Sequence, residues 1–378
     1  MSETKKLKLP QVGLNNNDWL SNTMRRFNLK PWTAGILMLF FNLALDLSLA
    51  FGFGAFYPGA KTHGLSREPI VWASDFLAQP FLVGYFCWIQ TVGNNLLTTL
   101  ISEGIIERNS VLNEITIKYQ SWLRNRWLSR IVTTISFLCA VFFAWATPGP
   151  SDPTYTGWIS VSPILPWARA IPAFITLYVL LMFSFDLAII IKMVNEVFGR
   201  LGIRVEPFHP DNAGGLGIIG RFIASLGILI GALGVEVSAS LLSTNAPNGV
   251  TTLGLVYFQK LLGLILYIIF APTLFYLTIN SARRAMIKYR DSLLKNISTM
   301  INVLLKNLQK SDSLDTEVLE SLIKKLRLLE EEHKIVSQFP VWPFNKNNLR
   351  KFISLVTGPI IPSVTSIGID LITRLINI

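Results

Sequence analysis

Apolar residues along this chain gather into six long runs separated by polar stretches rich in turn formers. The runs cover approximately 34–56, 73–100, 128–147, 168–194, 217–243 and 256–281. Each reaches the roughly 20 residues that a helix needs to cross the hydrocarbon core of a bilayer. The pattern therefore predicts an all-α fold, a polytopic membrane bundle of about six spans. Beyond residue 281 the character changes. Residues 283–337 are charged and helical, with Met286, Leu293, Ile297, Met300 and Leu304 on one face. The sequence SDSLD then breaks the helix, and Leu319, Leu322, Leu326 and Leu329 mark a second one. This predicts a helical hairpin or a short coiled coil. FPVWPF at 339–344 stops the helix and offers aromatic anchors. The stretch 349–378 is apolar but is interrupted by Gly358, Pro359 and Pro362 and carries Asp370 and Arg374. It reads as an interfacial or re-entrant tail, or as an amphipathic helix packed on the bundle. Four regions result: an N-terminal segment (1–33), the membrane domain (34–281), a helical hairpin (282–348) and the tail (349–378).

Charge orients this arrangement. Lys5, Lys6, Lys8, Arg25, Arg26 and Lys30 precede the first run, Arg108, Lys118, Arg124 and Arg126 follow the second, and Arg200 and Arg204 follow the fourth. A further 15 basic residues lie beyond the sixth. The opposite loops hold only Lys61 and Arg67. The positive-inside rule then places both termini in the cytoplasm of a cell (plasma or inner) membrane, crossed several times. Trp32, Trp122 and Trp127 at one edge, and Trp72, Trp145, Trp158, Trp167 and Tyr257 at the other, suit the two interfaces. A net charge of +11 on a soluble chain would suggest nucleic acid. Here it is accounted for by loops facing an anionic leaflet, so the expected partner is the lipid bilayer and no nucleic acid is invoked. Only 15% of residues are charged and the mean hydropathy is +0.46, against about a quarter charged in a soluble domain.

Two features point to candidate function. Gly217, Gly220, Ala224, Gly227, Gly231, Gly234 and Ser238 recur at steps of three and four in the fifth run. Such a stripe lets another helix come close, or lines a pore or oligomer axis. Charges inside apolar runs are costly and each needs a reason. Asp46, Asp186, Glu236 and Lys260 are the intramembrane charges singled out. Glu236 and Lys260 are expected at similar depth, as a structural pair. Asp46 and Asp186 have no partner near them in sequence and are candidates for ion coupling. Each begins or lies in a helix that would open one half of an inverted three-plus-three repeat, the arrangement of many carriers. A third feature is the loop FHPDNAGGLGIIGR (208–221). His209, Asp211, Gly214, Gly215 and Arg221 there could form a cytoplasmic ligand site, with glycine amides presented to an anion at a helix N-terminus. A tight re-entry turn capped by Asp211 or Asn212 is the plainer reading.

Catalysis has no support. His63, His209 and His333 are scattered, no nucleophile triad or paired-cysteine metal motif occurs, and Cys87 and Cys139 lie inside apolar runs. No enzyme activity, cofactor or metal is expected. The leading expectation is passage of a small ion through a channel or pore with the fifth span near its path, in a homo-oligomer. A carrier using Asp46 and Asp186 is the first alternative. A non-conducting signalling or interaction protein, receiving a cytoplasmic protein or ligand at the hairpin, is the second.

Overall fold

The computed structural model describes residues 19–59, 64–147, 157–201, 203–204, 209, 211, 213–242, 250–309, 316–338, 341–342 and 346–361. All regular structure among them is helical. A short helix α1 (Trp19–Arg26) precedes α2 (Pro31–Gly52), which opens on a proline whose missing N–H costs nothing in a first turn. The chain turns back through Gly54, at φ +64°, and enters α3 (Pro69–Ala73). This helix continues through one π-helical turn (Ser74–Ala78) into α4 (Gln79–Ser102). Helix α5 (Ser110–Leu123) begins where Asn109 accepts the Leu112 amide, and α6 (Arg126–Ala146) where Asn125 accepts the Trp127 amide. Then follow α7 (Ile164–Leu201), α8 (Gly217–Leu242), α9 (Val250–Gln309), α10 (Thr316–Ser337) and α11 (Lys346–Thr357).

Five stretches are long and apolar enough to cross a membrane: Pro31–Gly52, Pro69–Ile89, Ser110–Ala146, Ile164–Leu201 and Gly217–Leu241. The sixth expected run, 256–281, lies within α9, a single helix about 90 Å long at 1.5 Å per residue. The end of the bundle carrying Arg124, Arg126, Arg200 and Arg204 is called the basic end, and the other the neutral end.

Apolar positions sort in the manner of a membrane protein. On α6 the small stripe Val132, Ser136, Ala140 and Ala144 is buried against α7, while Phe137, Leu138, Phe142 and Phe143 point outward. Large side chains on the outer face would be penalised by water but not by lipid. The interior runs between α4 and α7, where Phe86, Ile89, Leu96 and Leu100 meet Tyr178, Val179, Met182 and Ile190, and extends to Ile223 and Ile230 of α8. At the basic end, α5 is tied to α7 through Glu196. Its carboxylate accepts from Lys118 Nζ at 2.9 Å, Tyr119 Oη at 2.6 Å and Arg200 Nη2 at 2.9 Å.

Helix α10 packs against α9. The first expected apolar face is only partly covered: Met286 and Ile297 are buried, but Met300 is exposed. The tail has a definite place. Helix α11 lies along α8, with Phe352 over Gly227, stacked on Phe275 at 4.5 Å. Its later residues continue beside α8 to Pro359, whose carbonyl accepts from the Ser238 hydroxyl. Asp370 and Arg374 fall outside the described residues.

Candidate functional site

On α2 the buried positions Ala34, Met38, Asn42, Asp46 and Ala50 recur every four residues. One face of the helix therefore carries two polar groups, Asn42 (0% exposed) and Asp46 (2% exposed), into the interior. Gly35, on the same side, fixes how close α4 can come. A Cβ there would stand 2.7 Å from the Pro80 carbonyl oxygen. Pro80 also explains the π turn. It has no N–H to give a carbonyl one turn back, and its ring crowds that turn, so the chain absorbs an extra residue. The widened turn brings Ser74, Asp75 and Gln79 inward together, all buried.

These groups form one network. Asn42 Nδ2 donates to Gln79 Oε1 at 2.9 Å. Gln79 Nε2 donates to Ser74 Oγ at 2.8 Å and reaches Asp75 Oδ1 at 3.4 Å. From α7, Arg169 Nη1 donates to Asp46 Oδ2 at 2.5 Å and lies 3.4 Å from both Asp75 oxygens. The carboxyl groups of Asp46 and Asp75 are themselves within hydrogen-bond reach. From α8, Glu236 hydrogen-bonds Ser74. Two carboxyl groups, Asp46 and Asp75, thus converge on one guanidinium, with Glu236 of α8 beside Ser74 at the edge of the network. Two acceptors remain unused among the described residues, Asn42 Oδ1 and Asp46 Oδ1, both fully buried.

One helical turn closer to the neutral end, Ala50 and Leu165 belong to a small separate core with Ala55, Leu65 and Trp158. Glu68 holds this cap in place by accepting the Trp158 backbone amide at 3.1 Å. The polar network is therefore covered on its neutral side by packed apolar residues.

Of the four intramembrane charges expected from the chain, Asp46 lies in this network and Glu236 beside Ser74 at its edge. Asp186 does not join them. It is buried in α7 at 17 residues from Arg169, which is about 26 Å along the helix axis. Glu236 finds Ser74; the side chain of Lys260 lies outside the described residues. Arg169 and Asp75 were not singled out from the chain. Arg169 is one residue inside the fourth apolar run, and Asp75 lies five residues before Pro80 in the second. A basic residue inside an apolar run and a proline within a span were the signals for them.

The small-residue stripe is a seat rather than an open face. Beside Phe352 over Gly227, the Leu355 carbonyl oxygen would be 2.8 Å from a Cβ at Gly231, and the Tyr267 hydroxyl 2.6 Å from one at Gly234. That hydroxyl reaches the Ile230 carbonyl of α8 at 3.1 Å and the Val356 carbonyl of α11 at 2.9 Å. From Gly227 to Ser238 the stripe is covered by this chain's own α11 and α9, so it does not face a free axis.

The 208–221 loop is likewise self-satisfied. Asp211 accepts the amides of Ala213 at 2.8 Å, Gly215 at 3.0 Å and Gly217 at 2.8 Å, and His209 Nδ1 is 2.9 Å from its Oδ1. Two of the amides expected to greet an anion, those of Gly215 and Gly217, are taken by this carboxylate, the arrangement of a capped turn. Gly214 and Gly215 adopt φ of +64° and +88°, which suits only glycine here. Burial pushes the Asp211 carboxyl up, but the three amides and His209 outweigh it and hold it below the usual carboxylate value. A depressed value means stability present near neutrality and lost as pH falls through the folded value, below about pH 4. Asp211→Ala is expected to cost about 1 kcal/mol locally. Hydrogen exchange over 213–224 should rise several-fold in the variant at pH 7, and the parent should approach it in acid. Unchanged exchange would show that the cap contributes nothing.

Among the described residues no group of three or more His, Cys, Asp or Glu is arranged to hold a metal ion. No protein-family model matches the chain, nor does any curated protein sequence or solved structure.

Proposed function

We propose that this membrane protein moves a small ion in a coupled, carrier-like manner, and that the network of Asn42, Asp46, Asp75, Arg169 and Glu236 is where the ion is held. The observation that carries the reading is the excess of two buried carboxyl groups, Asp46 and Asp75, over the one guanidinium they share. Two like charges about 4 Å apart cost on the order of 4 kcal/mol even at an effective dielectric of 20. The fully ionised cluster is therefore unfavourable, and a proton or a small cation relieves it. Asn42 Oδ1 and Asp46 Oδ1 are unused acceptors for such a charge. A π turn beside a charged site supplies a helix that rearranges without losing its hydrogen bonds wholesale. The cap formed around Trp158 closes the neutral side in this conformation, as alternating access requires of one state. In this reading α9 supplies the sixth crossing, and the basic end and both termini face the cytoplasm of a cell membrane.

The test is proton movement by purified protein in liposomes under an imposed pH gradient. Parent protein is expected to dissipate the gradient, and Asp75→Asn and Asp46→Asn to slow it at least tenfold. Equal rates in parent and both variants would remove the cluster from the path. A channel running beside α8 is the second reading, and it requires α11 to leave its seat. A signalling role is favoured by one observation: Val303, Val318, Ile323, Leu328 and Ile335 leave apolar side chains exposed on the charged hairpin. Those positions suit a protein partner or a second copy of this chain.

A further inference from the structure

A cleft of about 440 Å³ opens at the basic end between the α5–α6 turn and α7. Its floor is apolar, formed by Leu128, Phe185, Ala188 and Ile189, and its mouth is polar, formed by Trp122, Asn125 and Lys192. We infer that this cleft binds one anionic phospholipid, with an acyl chain on the floor and the phosphate at the Lys192 mouth.

The argument rests on how charge is distributed around the mouth. Lys192 Nζ sits over the Trp122 ring, 5.1 Å from its centroid. Cation–π contact steadies the ammonium without neutralising it. Lys192 makes no ion pair with a carboxylate among the described residues, and neither do Arg124 and Arg126, which flank Asn125 in the turn. The carboxylates nearby are already engaged: Glu196 by Lys118 and Arg200, and Glu114 by Arg200. One cation, Lys192, therefore stands unneutralised in the lining, and Arg124 and Arg126 adjoin its Asn125 in the chain. A free phosphate would use the mouth and leave the floor wet. A zwitterionic headgroup would bring a second ammonium against Lys192. An anionic lipid satisfies both halves, since the floor lies on a stretch long and apolar enough to be in the bilayer and the mouth at its charged boundary. Trp122, half apolar and half polar, is the side chain expected at such a boundary. The site is separate from the carboxyl cluster, because Lys192 is 23 residues from Arg169, about 35 Å along α7.

The test is native mass spectrometry of the full-length protein in detergent, titrated with phosphatidylglycerol or phosphatidylcholine. The parent is expected to retain one phosphatidylglycerol in preference to phosphatidylcholine. Lys192→Gln with Arg126→Gln should weaken that retention about thirtyfold, at roughly a kcal/mol per basic residue near the surface. Ala188→Phe keeps every charge but fills the floor, and should lose the lipid as well; it decides the matter if the charge variant folds poorly. Equal retention of the two lipids by the parent would overturn the inference. So would undiminished phosphatidylglycerol binding in both variants, displacement of the lipid by millimolar inorganic phosphate, or a lipid-free dimer that occupies the cleft.

Discussion

Arg169→Ala is expected to destabilise the protein by about 3–5 kcal/mol, the cost of leaving a buried ion pair without one partner. Arg169 is the only basic residue whose ion pair with Asp46 and Asp75 is found among the described residues, at 2.5 and 3.4 Å. Without it, two carboxyl groups that are 2% and 1% exposed face each other in a medium that solvates neither. Asp46 also keeps one unpartnered oxygen there even in the parent. The measurement is thermal unfolding in detergent, read against two companions. Arg169→Lys keeps the charge but loses the planar fork, and should fall between parent and alanine. Arg169→Met combined with Asp46→Asn and Asp75→Asn removes the charge imbalance and should recover most of the loss, because the large penalty attaches to an uncompensated charge rather than to a missing bridge. If Arg169→Ala melted within about 0.5 kcal/mol of the parent, the pairing would have no weight in the fold.

The second large effect is eviction of α11 by Gly231→Leu. The nearest atom to a new Cβ is a backbone carbonyl oxygen, which has no rotamer with which to retreat. Overpacking of this kind costs about 1–3 kcal/mol, and relief requires the whole of α11 to move away. That movement would uncover Phe352 and break the Tyr267 bridge between the carbonyls of Ile230 and Val356. The readout is maleimide labelling of a cysteine at the buried position Phe352, after replacement of Cys87 and Cys139, neither of which is in a disulfide. Labelling should accelerate at least tenfold in the Gly231→Leu background. Unchanged protection would mean that α11 is held by something other than this seat. If ion flux rose along with labelling, α8 would line a path that the tail closes.

Much of the architecture was legible along the chain because the rules behind it are local. Transfer of a side chain into hydrocarbon depends on that side chain, so runs such as 217–243 and 168–194 announce α8 and α7 within a few residues. The helix capped by Asp211 was readable for the same reason, since a cap acts over one turn. The site was legible only in part. Asp46 and Glu236 stood out as charges in apolar surroundings, but their partners did not. Asp46 meets Arg169 across 123 residues, and Asn42 meets Gln79 across 37. Asp186 resembled Asp46 in context and proved remote from it, because two residues on different helices share a depth only if both helices are placed.

The sequence by itself determined that this is a helical membrane protein, which runs are long and apolar enough to cross a bilayer, where its basic residues cluster, and that α8 carries a face made for close approach. Each of those follows from residue type and a period of three to four. Only the tertiary structure decided what fills that face, namely α11 and Tyr267, and which charges share one enclosure. Helix rotation, crossing angle and the extra residue of the π turn at Ser74–Ala78 set those meetings. They arise from packing between distant segments, where a shift of one residue about the helix axis turns a side chain by about 100° and sends it to lipid instead of to its partner.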